Sequence, residues 1–154
     1  MEIVKLRERA GYVSELAKLH FDAWGYLRPH ETLSERTARL DETSRALDMP
    51  TVLIAVEFGQ LLGSATLQAS DGLLPDIELT PWLAGVYVKT AHRSRGIAAR
   101  LIREIETLAF AKGFSTLNLC THDHEVYYAG LGYRTLATQD FRGEPTSIMA
   151  KALG

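Results

Sequence analysis

Apolar positions change their period several times along this chain, and each change marks an expected element. Residues 2–7 alternate charged and apolar side chains imperfectly, enough for a short first strand. Tyr12, Leu16, Leu19, His20, Ala23, Trp24 and Leu27 then recur at helical spacing. They give an amphipathic helix ending near Arg28-Pro29, because the residue before a proline is steered out of the helical region. Thr32-Leu33-Ser34-Glu35 has the form of a capping box, with Thr32 as N-cap and Glu35 reaching back to its amide. The helix it opens carries only a narrow stripe, Leu33, Thr37, Leu40 and Leu47, so it is expected at the surface and stops before Pro50.

The period then shortens. Thr51–Val56 is a near-continuous β-prone run, expected as a strand covered on both faces. Phe58-Gly59-Gln60 interrupts it and an apolar run returns over 61–67, which together read as a hairpin. Asp71 to Pro81 is rich in Gly, Pro and Asp and is expected as a loop, followed by an apolar strand from Trp82 to Val88. A long amphipathic helix from about Arg95 to Lys112 buries Ile97, Leu101, Ile102, Ile105, Leu108 and Ala109, with Gly113 as its stop. A strand over 115–121, a short helix over 123–131 ending at Gly132, and strands near 133–138 and 146–152 complete the chain as an antiparallel finish.

Composition adds little to this picture and excludes several alternatives. The 154 residues are enough for one domain with a real core, so 1–154 is read as a single domain. A formal net charge of −2 leaves no electrostatic footprint for nucleic acid or an anionic membrane. The single cysteine, Cys120, excludes a disulfide framework; in a strand it reads as a small core residue rather than an acyl-carrying nucleophile. His122 and His124 flank Asp123 but lack the third ligand and outer partners of a zinc site, so no metal is expected. No signal peptide or membrane span is visible, and the expectation is a cytoplasmic monomer or homodimer.

Candidate chemistry concentrates at the turn Arg93-Ser94-Arg95-Gly96-Ile97-Ala98, between the apolar strand and the long helix. A helix N-terminus offers unpaired amides and the positive end of the macrodipole, which together form an anion site. Gly96 lets a bulky anion approach the backbone, and Arg93 and Arg95 bring guanidinium charge beside it. A pyrophosphate cradle is the reading.

With this turn, the upstream Val86-x-Val88 and the downstream run Val126-Tyr127-Tyr128-Ala129-Gly130-Leu131-Gly132-Tyr133, the chain resembles the GNAT N-acetyltransferase superfamily over nearly its whole length. The family's acyl-CoA signature, Arg/Gln-x-x-Gly-x-Gly/Ala, corresponds to Arg93 through Ala98, and its Phe-Tyr segment to Tyr127-Tyr128. The resemblance implies an α+β fold with a mixed sheet of about seven strands and about four flanking helices, splayed between the Trp82–Val88 and Ser115–Thr121 strands. It implies that Val86, Tyr87 and Val88 lie along the pantetheine arm of acetyl-CoA, Gly85 marking the bulge that opens the sheet and the Val86 and Val88 backbone bonding the arm. Amides from Arg93, Ser94, Arg95, Gly96, Ile97, Ala98 and Ala99 would hold the pyrophosphate. Thr90 stands where proline is common, Ser94 and Ala98 replace frequent glycines, and Thr121 replaces an asparagine that grips the arm. The strand glutamate that often serves as base has no counterpart, since Trp82 lies near that position.

Acetyl transfer to an amine needs three things: a deprotonated nucleophile, a polarised carbonyl and a protonated leaving thiol. By the resemblance, Tyr128 is the acid for the thiolate and the Val88 N–H faces the thioester oxygen. An alkyl amine with a pKa near ~10 must lose a proton, and the candidate bases are Glu78 and His122, with His124 beside it. Tyr12 and Trp24 read as core, whereas 26–33 is where an acceptor pocket is expected. The expected activity is acetyl transfer to a primary amine by direct attack in a ternary complex, with a small polar amine as acceptor. Because 117–133 also resembles actin-type N-terminal acetyltransferases, a peptide α-amine is the enzymatic alternative. A non-catalytic acyl-CoA-sensing or partner-binding module is the other.

Overall fold

The computed structural model describes residues 1–70, 74 and 77–154 of the chain, so part of the loop expected over 71–81 lies outside the described residues. The chain runs through β1 (Glu2–Lys5), α1 (Val13–Trp24), α2 (Leu33–Ser44), β2 (Thr51–Glu57) and β3 (Gln60–Gln68). It continues through β4 (Trp82–Val88), α3 (Ile97–Ala111), β5 (Thr116–Thr121), α4 (Glu125–Gly130), β6 (Arg134–Phe141) and β7 (Glu144–Ala152). The described strands form one mixed sheet in the order β1-β2-β3-β4-β5-β7-β6, in which, among the described residues, only β4 and β5 pair in parallel.

Alternation along β2 sends Leu53 and Ala55 to one face and Val52, Ile54 and Val56 to the other. Each face is covered: α3 packs Ile97, Leu101, Ile102, Ile105 and Ala109 on the first, and α1 packs Val13, Leu16 and Ala17 on the second. The strand is therefore buried on both sides, as its unbroken apolar run requires.

The capping box forms in full: the Glu35 amide donates to Thr32 Oγ1 at 3.1 Å and the Thr32 amide to Glu35 Oε1 at 3.0 Å. The helix it opens is shorter than expected. It ends at Ser44, and Leu47 lies outside it and exposed. The Arg7 guanidinium accounts for this local path by donating to the carbonyls of Ala46 and Leu47.

α3 starts at Ile97 rather than near Arg95, because Gly96 is its N-cap with φ 75°. It stops in a Schellman arrangement: the Phe114 amide bonds Ala109 O, the Gly113 amide bonds Phe110 O, and Gly113 has φ 96°. The final hairpin is longer than the sequence pattern indicates. Arg142 and Gly143 both adopt positive φ, as a two-residue type I′ turn demands, and the ladder continues up to it.

Candidate active site

The site begins with an irregularity in β4. Ser64 pairs with Tyr87 and Thr66 with Ala84, so the β4 side of this stretch is one residue longer than the β3 side and bulges at Gly85-Val86. Gly85 has φ 59°, and a Cβ there would come within 3.3 Å of Thr66 Oγ1, so both conformation and space call for glycine. On the other edge, β4 meets β5 at one register pair, Trp82↔Asn118. The closed end is latched by Asn118, whose amide and Nδ2 both donate to Pro81 O, at 3.1 and 2.9 Å. Beyond that latch the strands part, as the splay expectation required.

The ladder also fixes where the open edge points. The Lys89 amide bonds Leu62 O at 2.9 Å, which makes the next pair, Gly63↔Val88, a non-hydrogen-bonded one. The polar backbone of Val88 therefore turns toward the β5 side, where its carbonyl accepts Arg93 Nε at 2.9 Å. Val86, in the bulge, has no partner in the β3 register.

At the turn after β4, Ser94 takes φ 63° without being glycine, followed by Gly96 at 75°. The first helical hydrogen bond of α3 runs from the Arg100 amide to Gly96 O, which leaves the amides of Ile97, Ala98 and Ala99 outside the intrahelical ladder. A Cβ on Gly96 would meet nothing within 4 Å, so the backbone there is approachable by a bulky anion. The two arginines are more committed than the sequence implied. Arg95 pairs with Glu57 at 2.9 Å and contacts His92 Nδ1 at 3.0 Å, while Arg93 is tied to Val88 and stands 5.8 Å over the Tyr87 ring. The backbone, more than guanidinium charge, is what this turn offers to an anion.

A cavity of about 580 Å³ opens through the splay. Its lining includes Ala84, Gly85 and Val86 from β4, Leu119, Cys120 and Thr121 from β5, then His122, Asp123, His124 and Tyr128. Tyr128 is only 9 % exposed, and burial, assisted by neighbouring Tyr127, pushes its hydroxyl up to about 12, so it keeps its proton at neutral pH. A second Schellman stop fixes its backbone: the Tyr133 amide returns to Tyr128 O at 3.1 Å and the Gly132 amide to Ala129 O, with Gly132 at φ 100°. Thr121 is buried and accepts the His124 amide at 3.1 Å, capping the approach to α4. His122 lines the cavity with Nε2 3.3 Å from Glu144, whereas Glu78 is exposed and is not among the lining residues.

One expectation is corrected here. Trp24 is a cavity wall rather than core, stacked 4.9 Å from His20 and 5.9 Å from Tyr87, because the sheet beneath it opens at the bulge. Cys120 packs half-buried against the Trp82–Ile148 cluster, in keeping with a small core residue, and also lines the cavity because its strand borders the splay. Tyr12 follows its expectation, packing beside Val13 and Leu16 with its hydroxyl donating to Gly59 O at 2.8 Å. Tyr26, Leu27, Arg28 and Glu31 line the outer cavity, within the stretch expected to shape an acceptor pocket.

The structure adds a buried chain that the sequence did not reveal. Arg36 Nη2 lies 3.0 Å from His20 Nδ1, His20 Nε2 lies 3.0 Å from Ser64 Oγ, and Ser64 donates to Gly85 O at 2.8 Å. Each donor in this order has an acceptor when His20 is neutral with its proton on Nε2. The chain ends on the bulge itself and so braces the opening in β4. Burial first, then the charges of Arg36 and Arg39, lowers His20 to about 3.

The folded chain thus resists protonating His20, while the unfolded chain takes up that proton near 6.5. Stability is full above that pH and falls below it, by about 2 kcal/mol at about pH 5. Glu31, Glu35 and Glu57, all lowered, add their own losses only below about 4.5. In denaturant titrations between about pH 7 and 5, His20→Gln is expected to flatten this slope. An unchanged slope would show that another group carries it.

Comparison with known proteins agrees with this architecture. A family model described as the acetyltransferase (GNAT) family matches residues 13–133, most of the chain, and the chain belongs to that family. It is similar to N-alpha-acetyltransferase 80 of Mus musculus, at 40% identity over 65 residues, which are 42% of this chain and only 18% of that protein. Among solved structures, an aminoglycoside 6'-N-acetyltransferase complexed with coenzyme A superposes with TM-score 0.77 at 18% identity, over 99% of this chain and 97% of that one. A ribosomal-protein-alanine N-acetyltransferase from Brucella melitensis gives TM-score 0.72 at 21% identity, over 99% of this chain and 100% of that one. No described helix is long and apolar enough to cross a membrane.

Proposed function

We propose that the chain transfers an acetyl group from acetyl-CoA to a primary amine by direct attack in a ternary complex. The observation that carries this reading is the parting of β4 and β5 beyond Trp82↔Asn118, with a protonated, buried Tyr128 on the cavity so formed. The amides of Ile97, Ala98 and Ala99, approached past Gly96, would hold the pyrophosphate, and the open edge at Val86 and Val88 would hold the arm. The thioester supplies the activated carbonyl. The Val88 N–H faces the developing oxyanion, and Tyr128 gives its proton to the departing thiolate.

For the amine's own proton we assign His122, which lines the cavity and is steadied by Glu144, in preference to Glu78 outside it. The family membership and the coenzyme A bound by the aminoglycoside neighbour both support acetyl-CoA as donor. The 65-residue likeness to an N-alpha-acetyltransferase favours a peptide α-amine as a second reading of the acceptor.

Saturating acetyl-CoA is expected to raise the melting temperature, by about 2.7 kcal/mol of linkage at a hundredfold excess over Kd. No shift would overturn the donor assignment. A thiol-release assay over amino acids, polyamines, aminoglycosides and N-terminal peptides then separates a transferase from a coenzyme sensor, which shows the shift without release.

A further inference from the structure

The cavity's charge is unevenly distributed. Among the described lining residues, the cations are Arg28, Arg36 and Arg39, and the carboxylates are Glu31 and Asp123. Arg39 grips Glu31 through two nitrogens, Nε at 2.7 Å and Nη2 at 3.0 Å, so this carboxylate is already used. Asp123 lies in the β5–α4 connection beside His122 and His124, at 3.9 and 3.5 Å. That leaves Arg36 without an ion pair among the described residues, and Arg28 likewise. Arg36 spends Nη2 on His20, which accepts through a neutral ring and returns no charge, and its buried Nε has no hydrogen-bond partner among the described residues. A buried guanidinium N–H without an acceptor is rare in a folded chain and marks a place where a partner belongs. The two nearby titratable groups respond to the same field. Arg36 is lowered to about 10 by burial and by Arg39, with the Glu31 charge pulling the other way without outweighing them, and His20 is lowered by burial, Arg36 and Arg39.

We propose that the acceptor carries its own carboxylate, bound by Arg36 with Arg28 beside it on the α1–α2 wall, while its amine faces His122 and Tyr128. This rests on the transferase reading of the same cavity. The planar fork of Arg36 suits a carboxylate, and the carboxylate supplies what Nε lacks. Polycationic amines meet like charge on that wall and are rejected, although the fold neighbour named above acts on aminoglycosides. Free amino acids, through their own carboxylate, and peptides beginning with an acidic residue share the chemistry and are separated by assay.

The test uses glutarate, a dicarboxylate with no amine, against spermidine, at constant ionic strength and saturating coenzyme A. Binding is read from the fluorescence of Trp24, which lines the cavity, and from melting temperature. Glutarate is expected to bind and spermidine not to. Arg36→Gln should weaken glutarate by about tenfold or more, with the shift given by acetyl-CoA intact. Should Arg36→Gln fold poorly, Glu31→Gln decides independently: releasing Arg39 from its partner should tighten glutarate about threefold. In thiol release, free amino acids and acidic-start peptides should be consumed ahead of amines that carry no carboxylate, and whichever of the two leads names the source. Glutarate binding that is absent, or unmoved by both substitutions, overturns the carboxylate assignment. Loss of the acetyl-CoA shift in the unaltered protein instead overturns the transferase reading beneath it.

Discussion

Tyr128→Phe is expected to lower kcat by about 10²–10³-fold while leaving KM for acetyl-CoA and the melting temperature nearly unchanged. The stability half of this expectation follows from the packing. The Tyr128 ring sits edge-on to Tyr127 at 5.4 Å and to Tyr133 at 6.0 Å, contacts that phenylalanine keeps. Burial and neighbouring charges, with no hydrogen bond among the causes, set its hydroxyl's acidity, so removing that hydroxyl orphans no buried partner among the described residues. The kinetic half follows from protonation. Burial holds the hydroxyl near 12, and the same poorly solvated surroundings raise the basicity of a thiolate expelled there, so donation is better matched than the solution values imply. The alkaline limb of the rate profile should accordingly not come from this group below about pH 10. Single-turnover rates on an acceptor found by thiol release give the check. Equal rates for the unaltered chain and the Tyr128→Phe variant would remove tyrosine from the proton path and leave the thiolate to solvent.

The difference between what the sequence showed and what it hid is one of range. Elements written in short-range pattern were legible: the Thr32–Glu35 capping box, the hairpin about Gly59, the apolar face of α3 and its Gly113 stop all formed as read. The irregular backbone at the β4 bulge and the α3 start was legible too, because Gly85 and Gly96 mark unusual conformations with a residue type. Long-range polar contacts were not. His20 occupies the apolar stripe of α1 and reads as helix-face packing, yet it joins Arg36 of α2 to Ser64 of β3. Arg36 lies on a helix whose thin apolar stripe says only that it is exposed, and no local pattern marks one arginine as unpaired. Trp24 was misread for the same reason, since a hole in the sheet beneath an aromatic leaves no trace in helical periodicity.

These hidden contacts bear on the donor side as well as the acceptor side. The Arg36–His20–Ser64 chain ends on Gly85 O, within the bulge that releases Val86 from pairing with β3. The wall proposed to bind an acceptor carboxylate is thus physically continuous with the strand edge proposed to hold the coenzyme's arm. A change at Arg36 that disturbed the bulge would raise KM for both substrates. A change confined to the carboxylate would raise only one, which is why the acetyl-CoA shift accompanies every arm of that test.

Gly96→Ala is expected to separate folding from coenzyme binding at the other end of the site. Gly96 holds φ 75°, and alanine there carries the left-handed penalty of about 1–2 kcal/mol. In a chain of this size that is a fall of roughly 2–8 °C in melting temperature. No clash adds to it, because an added Cβ has open space within 4 Å. That open space is what a pyrophosphate needs to reach the amides of Ile97, Ala98 and Ala99. Losing one charge-assisted hydrogen bond of about 1.5–3 kcal/mol raises KM for acetyl-CoA roughly 10- to 150-fold, with kcat at saturation largely kept. Ser94→Gly is the control. Ser94 already bears φ 63°, so glycine relieves strain there and should raise rather than lower the melting temperature, with little effect on KM. If Gly96→Ala lowers the melting temperature but moves KM by less than about threefold, backbone approach at this turn is not what grips the donor. The committed guanidinium groups of Arg93 and Arg95 would then have to leave Val88 and Glu57 to do so, and disrupting the Arg95–Glu57 pair by Glu57→Gln should improve coenzyme binding.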